Sequence, residues 1–288
     1  MTNTFTIMDY VQAYIGVSSF LSLSFGPDVA WERANRFVYA SYTRWHPPGI
    51  VPHDPSQALF APIQPSFGVP SHSILFAIST ALSTLHFSDI RWQSHDGGQT
   101  FSRYCTLDMI APSPSHVIPS RIFRPYNGTR RRGAATMENT DMLPIFFTQT
   151  NGLRVGVSIA ESADLSVIPD VPTRITRSTV KVLLHLRNYG LEETQVRLRN
   201  NTTGPNVTAR QLARQVAAAT RIIIRKAAAK EVTLMTWEDA RWRFGSGPGC
   251  IRIEDVEVVG VIFVSPGKVT PMLQLRPDFV PSLHLSLQ

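Results

Sequence analysis

At 288 residues, with 43% hydrophobic and 17% charged side chains, the chain can bury a large core and is too apolar for wholesale disorder. Its two cysteines, Cys105 and Cys250, belong to no CxxC pair, which argues against a disulfide framework or a cysteine zinc site. The net charge of +7 is unevenly placed: residues 121–249 hold 20 of the 28 basic residues and only 10 of the 21 acidic ones.

Residues 11–27 are moderately apolar, but no Lys or Arg precedes Arg33, so the basic n-region of a signal peptide is missing. No apolar run is long enough to span a bilayer. The expectation is an intracellular protein, cytoplasmic or nuclear, in which the sequons at Asn127, Asn200, Asn201 and Asn206 stay idle.

Asp28 is placed to cap a helix whose apolar face is Trp31, Ala34, Phe37, Val38, Tyr42 and Trp45. A proline-rich loop follows, from Pro47 to Pro70. Ser71 or Ser73 then reads as the start of a short helix carrying Ile74, Leu75, Ile78, Leu82 and Leu85. Strand-like runs follow at Phe87 to Trp92 and Phe101 to Ile110, around the turn signal Asp96-Gly97-Gly98. Residues 111–140 carry Arg121, Arg124, Arg130, Arg131 and Arg132 with no acid before Glu138, and read as a mobile basic loop. Asn151-Gly152, between Ile145–Gln149 and Leu153–Ile159, is the best hairpin signal, and 163–173 reads as a linker.

The C-terminal part reads strand, strand, helix, strand, strand. Val180, Val182, Leu184 and Leu186 alternate with more polar neighbours, and Val196 and Leu198 continue across the Tyr189-Gly190 turn. A long amphipathic helix spans Asn206 to Lys230. Thr208 and Gln211 have capping-box spacing, and Leu212, Val216, Ala219, Ile223 and Ala227 make one apolar stripe. Arg210, Arg214, Arg221 and Arg225 fall on the opposite side, within roughly 60° of one another. Val256 to Val264 is a β-branched strand, and Val269 to Leu275 returns after Ser265-Pro266-Gly267-Lys268, with Pro271 reading as the mark of an edge strand. The fold class is α+β: antiparallel sheets with the long helix packed on the C-terminal one. The organisation is an N-terminal region, 1–165, and a C-terminal ββαββ-like region, 174–288, with one continuous core as the alternative.

The helix motif T-x-x-x-L-A-x-x-V (Thr208 to Val216), the tetrad Trp242-Arg243-Phe244-Gly245 and the run Ile253 to Leu275 resemble a group of uncharacterised hypothetical proteins of basidiomycete fungi. The resemblance covers about 176–276. Its motifs concern packing and turns, so it implies a fold and a fungal origin but carries over no activity, cofactor or functional residue.

Catalytic signatures are missing. No H-E-x-x-H is present, and His46 and His53-Asp54, which could in principle supply metal ligands, flank a proline-rich loop and read as solvent-exposed bystanders. His95-Asp96 adjoins a Gly-Gly turn, where Asp shapes the turn. Cys105 lies in a strand-like run beside Tyr104 and Thr106 and reads as a buried structural thiol. Gly245, Gly247 and Gly249 precede a strand rather than a helix, so no phosphate cradle forms. No catalytic, cofactor or metal residue is therefore assigned.

The leading expectation is a non-enzymatic binding or scaffold protein acting through an unidentified protein partner. The first alternative is binding to nucleic acid or another polyanion through the stripe Arg210, Arg214, Arg221 and Arg225, aided by Arg121, Arg124, Arg130, Arg131 and Arg132. Only four of the basic residues are Lys, which suits phosphate, although a GC-rich coding sequence produces the same bias without function. An enzyme of unrecognised family is the second alternative.

Overall fold

The computed structural model describes residues 18–45, 72–78, 86–95, 100–124, 136, 140–152, 154–199, 206–230 and 241–280. In chain order the elements are α1 (Phe20–Phe25), α2 (Pro27–Trp45), β1 (Ser73–Ile78), β2 (Ile90–His95), β3 (Thr100–Met109), β4 (Val117–Ile118), β5 (Ile145–Phe146), β6 (Val157–Ser158), β7 (Thr179–Leu184), β8 (Glu192–Arg197), α3 (Ala209–Ala228), β9 (Val256–Ser265) and β10 (Lys268–Leu275). Strands and helices mix in an α+β arrangement, as the sequence pattern indicates. No helix of the described residues is long and apolar enough to cross a membrane.

The larger sheet runs β5-β9-β10-β7-β8, with β6 also on β9 and β4 also on β10. Its spine is the β9–β10 hairpin, closed by Gly267 at φ 83°, a backbone conformation that glycine adopts without steric penalty. Period-two alternation sends Val261 and Phe263 to one face of β9 and Ile262 and Val264 to the other. On the first face lies α3, whose Leu212, Val216, Ala219 and Ile223 are buried against Val180, Val182 and Leu184 of β7. On the second lie α1, α2 and β3, through Phe20, Ala30, Ala34, Cys105 and Leu107. One sheet thus serves two apolar clusters.

Several local expectations are corrected. Residues 73–78 form a strand, not a helix, and pair antiparallel with β3 from Ser73↔Met109 to Ile78↔Arg103. A short apolar run fits either period, and the neighbouring strand decides between them. β10 is internal, not an edge: β9 flanks one side, while β7 (at Lys268 and Val269) and β4 (at Leu273 and Gln274) share the other. Pro271 falls between those two partners, where no N–H is demanded of it.

The Asn151-Gly152 hairpin forms only at its tip, with Thr148 bridging Val155 and the Gln149 N–H donating to the Arg154 carbonyl at 2.9 Å. Its arms instead pair in succession with β9, Ile145↔Val261 and then Val157↔Val258. Part of the expected mobile loop is ordered, because Val117 and Ile118 are buried in the sheet and the Arg121 N–H donates to the His185 carbonyl at 2.8 Å. The 163–173 segment is no free tether either. It holds a 3-10 turn at Leu165–Val167, a fully buried Ile168 and a Pro172–Thr208 bridge to the start of α3.

Candidate functional site

The amphipathic helix begins where its cap signal places it. The Thr208 hydroxyl accepts from the Gln211 N–H at 3.2 Å, satisfying a free donor of the first turn. The side opposite its apolar stripe carries the arginines, and three of the four are engaged by the segment 159–170. Arg210 Nε donates to the Ile168 carbonyl at 2.8 Å and lies 3.9 Å from Asp170. Arg221 Nη1 donates to the Ile159 carbonyl at 3.1 Å, and Arg225 Nη2 to Glu161 Oε1 at 2.7 Å. Those two guanidinium groups hold the exposed Glu161 carboxyl below the usual carboxylate range, chiefly through the Arg225 hydrogen bond. Arg214 is exposed. Of the remaining basic candidates, Arg121 is exposed, Arg124 sits 3.8 Å from Glu32, and Arg130, Arg131 and Arg132 lie outside the described residues. The structure therefore does not bring Arg121 and Arg124 into the α3 stripe by any described contact.

Two arginines that no local pattern announces, Arg33 buried and Arg174 largely buried, tie the layers together. Arg33 of α2, only 4% exposed, donates to the carbonyls of Phe263 (2.8 Å), Asp141 (3.0 Å) and Met142 (2.9 Å). Burial lowers its pKa to about 10, partly offset by the Asp141 carboxylate. Arg174 forms ion pairs with Asp89 at 2.6 Å and with Asp141, and donates to the Leu143 carbonyl at 2.5 Å. Burial alone would lower the Arg174 pKa, but the two carboxylates outweigh it and raise it. Asp108 is also buried, accepting from the N–H groups of Met109 (2.7 Å) and Leu21 (3.2 Å). Burial pushes its carboxyl up to about 7.

Among the described residues these perturbed groups are bonded to other parts of the core. A cavity of about 250 Å³ is lined by His72, Met109, Ser113, His116, Arg154 and Gln274, among others. That volume is below the roughly 300–1,000 Å³ of ordinary ligand sites. Among the described residues no group of three or more His, Cys, Asp or Glu side chains could hold a metal. Cys105 is fully buried and its thiol pKa is pushed up by burial, which is the opposite of an activated nucleophile. His46, His53, Asp54 and Asp96 lie outside the described residues, and His95 ends β2 opposite Thr100.

β8 lies at the margin of the larger sheet. Among the described residues β8 pairs with β7 alone, from Thr179↔Arg197 to Leu184↔Glu192. The Leu198 N–H donates to the Ser178 carbonyl at 2.7 Å, and bonded pairs alternate along an antiparallel ladder. Glu192, Thr194 and Val196 therefore exchange their backbone bonds with β7, and Glu193, Gln195 and Arg197 turn theirs to the open edge. The same three residues carry the exposed side chains of the strand. The strand was legible in the sequence; its place at the margin was not, because edge position is a property of the whole sheet.

No family model matches the chain, and no curated protein or solved structure matches it.

Proposed function

We propose that the chain is a non-enzymatic binding protein that acts through protein contacts at the open edge of β8. One observation carries this reading: three consecutive outward-facing residues, Glu193, Gln195 and Arg197, present backbone donors and acceptors without a described strand beside them. An extended segment laid along such an edge gains main-chain hydrogen bonds and selects by its alternate side chains. The buried arginines and Asp108 add support, since each is committed to holding layers together rather than to a cleft.

The polyanion alternative would have to draw on arginines that already grip Ile159, Glu161, Ile168 and Asp170. Phosphate would compete with those contacts, which is a weaker starting point than an edge with no described strand beside it. The test is selection of binders from a displayed library of random extended peptides. Selected sequences should bind the wild type and be lost by Gln195→Pro, which removes one outward N–H without touching the ladder to β7. Binders that ignore this substitution, or no sequence-selective binders at all, would refute the reading.

A further inference from the structure

From the order of residues along β8 we infer that the partner at this edge is a second copy of the same chain, joined by antiparallel β8–β8 pairing about a two-fold axis. This rests on the reading of the edge as a contact surface and goes beyond it by naming the occupant. A two-fold axis perpendicular to the sheet keeps the α3 side of one copy next to the α3 side of the other. Only residues of equal parity then face each other. Only Glu193, Gln195 and Arg197 have outward backbone groups, so the register centred on Gln195 makes the most of them. It sets Gln195 against Gln195 of the second copy, and Glu193 against Arg197 at both ends.

Charge and shape agree with that register. Directly opposite side chains of a bonded antiparallel pair are within reach of an ion pair. Each Glu193 already sits 2.7 Å from Lys181 of its own β7, so the arriving Arg197 would complete a three-membered network. Arg197 spends its Nε on the Arg199 carbonyl at 3.1 Å, a contact that leaves the outer guanidinium nitrogens for the partner.

The helix above the edge adds an apolar contribution. On α3 the arginines that grip 159–170 lie on the flank toward β6 and β9, and Lys230, just past the end of the helix, pairs with Glu192 of β8. Ile222 is about 100° from Arg221 and about 60° from Arg225 around the helix axis, between Arg225 and the flank opposite Arg210 and Arg221. It is 43% exposed and leaves an apolar side chain free for contact. Pairing of two β8 strands would bring the Ile222 flanks of the two helices toward each other across the axis.

Sedimentation equilibrium of the full chain, from low to high micromolar concentration, tests this through charge reversal. The wild type should show a monomer–dimer equilibrium. Glu193→Arg or Arg197→Glu alone should weaken it at least about tenfold, because symmetry places the like-charge opposition at both ends. The double swap, Glu193→Arg with Arg197→Glu, should restore it, which a merely misfolded variant would not do. A dimer insensitive to both single reversals would overturn the register, and a wild type monomeric throughout would overturn the second copy as partner. In the latter case peptides lost by Gln195→Pro would leave the edge reading standing, and their absence would remove both.

Discussion

Arg174 offers the sharpest test of how the layers are held together. Its side chain is 13% exposed and binds Asp89, also 13% exposed, together with Asp141 and the Leu143 carbonyl. Arg174→Met keeps much of the aliphatic length and deletes the charge. Two carboxylates then face each other without the guanidinium that bridges them, and Asp89, largely out of water, loses its ion pair. Breaking a buried ion pair from one side costs about 3–5 kcal/mol, and partial hydration of Asp141 places this case near the lower end. Urea unfolding should show that loss as a lower midpoint at nearly unchanged slope. Adding Asp89→Asn to Arg174→Met should recover part of it, because the penalty comes chiefly from the stranded charge. A loss below about 1 kcal/mol, or no recovery in the double variant, would mean the carboxylates rehydrate freely and the hub does not hold the layers.

Other consequences are as specific. A Cβ at Gly260 would sit 2.4 Å from the Ile145 carbonyl oxygen, a backbone atom that cannot swing aside, so Gly260→Ala should destabilise by about 3 kcal/mol in a thermal or urea melt. Asp108 has a folded pKa near 7 against an ordinary value near 4, so the folded state holds an extra proton between them. Stability should therefore fall as pH rises from about 4 to 7 and level off above, by up to the order of 4 kcal/mol, and Asp108→Asn should flatten that slope in urea midpoints measured across the range. In a salt titration against a DNA duplex and an RNA pool, the wild type should bind no better than a variant with Arg210, Arg214, Arg221 and Arg225 changed to Gln. Steep binding with a log–log slope of about −3.6, lost in that variant, would instead place four phosphates on the stripe.

What the sequence disclosed follows the range of the interactions concerned. The helix from Thr208 was legible because its cap and its Leu212–Val216–Ala219–Ile223 stripe are local, and the strands before and after it in the chain were legible from alternation at Val180–Leu184 and the β-branched run Val256–Val264. Residues 73–78 were misread because Ile74, Leu75 and Ile78 satisfy a helical spacing as well as a strand run, and β3, which decides, lies some thirty residues on. Pro271 misled for a similar reason, since its missing N–H matters only in relation to β7 and β4. The arginine stripe was found from the helix period, but its partners Ile159, Glu161 and Ile168 sit roughly forty to sixty residues away. Arg33 and Arg174 carry no local signal at all. The open edge of β8 is the extreme case, being defined by the whole order of the sheet.

The most direct measurement of the central claim is a cross-link at the axis. In a background of Cys250→Ser, Gln195→Cys would place two thiols in a bonded antiparallel pair, about 5.5 Å apart at Cα and within the span of a disulfide. Mild oxidation should convert this variant to a covalent dimer far faster than the control Ser162→Cys, an exposed position away from the edge. Equal rates for the two variants would contradict pairing at β8.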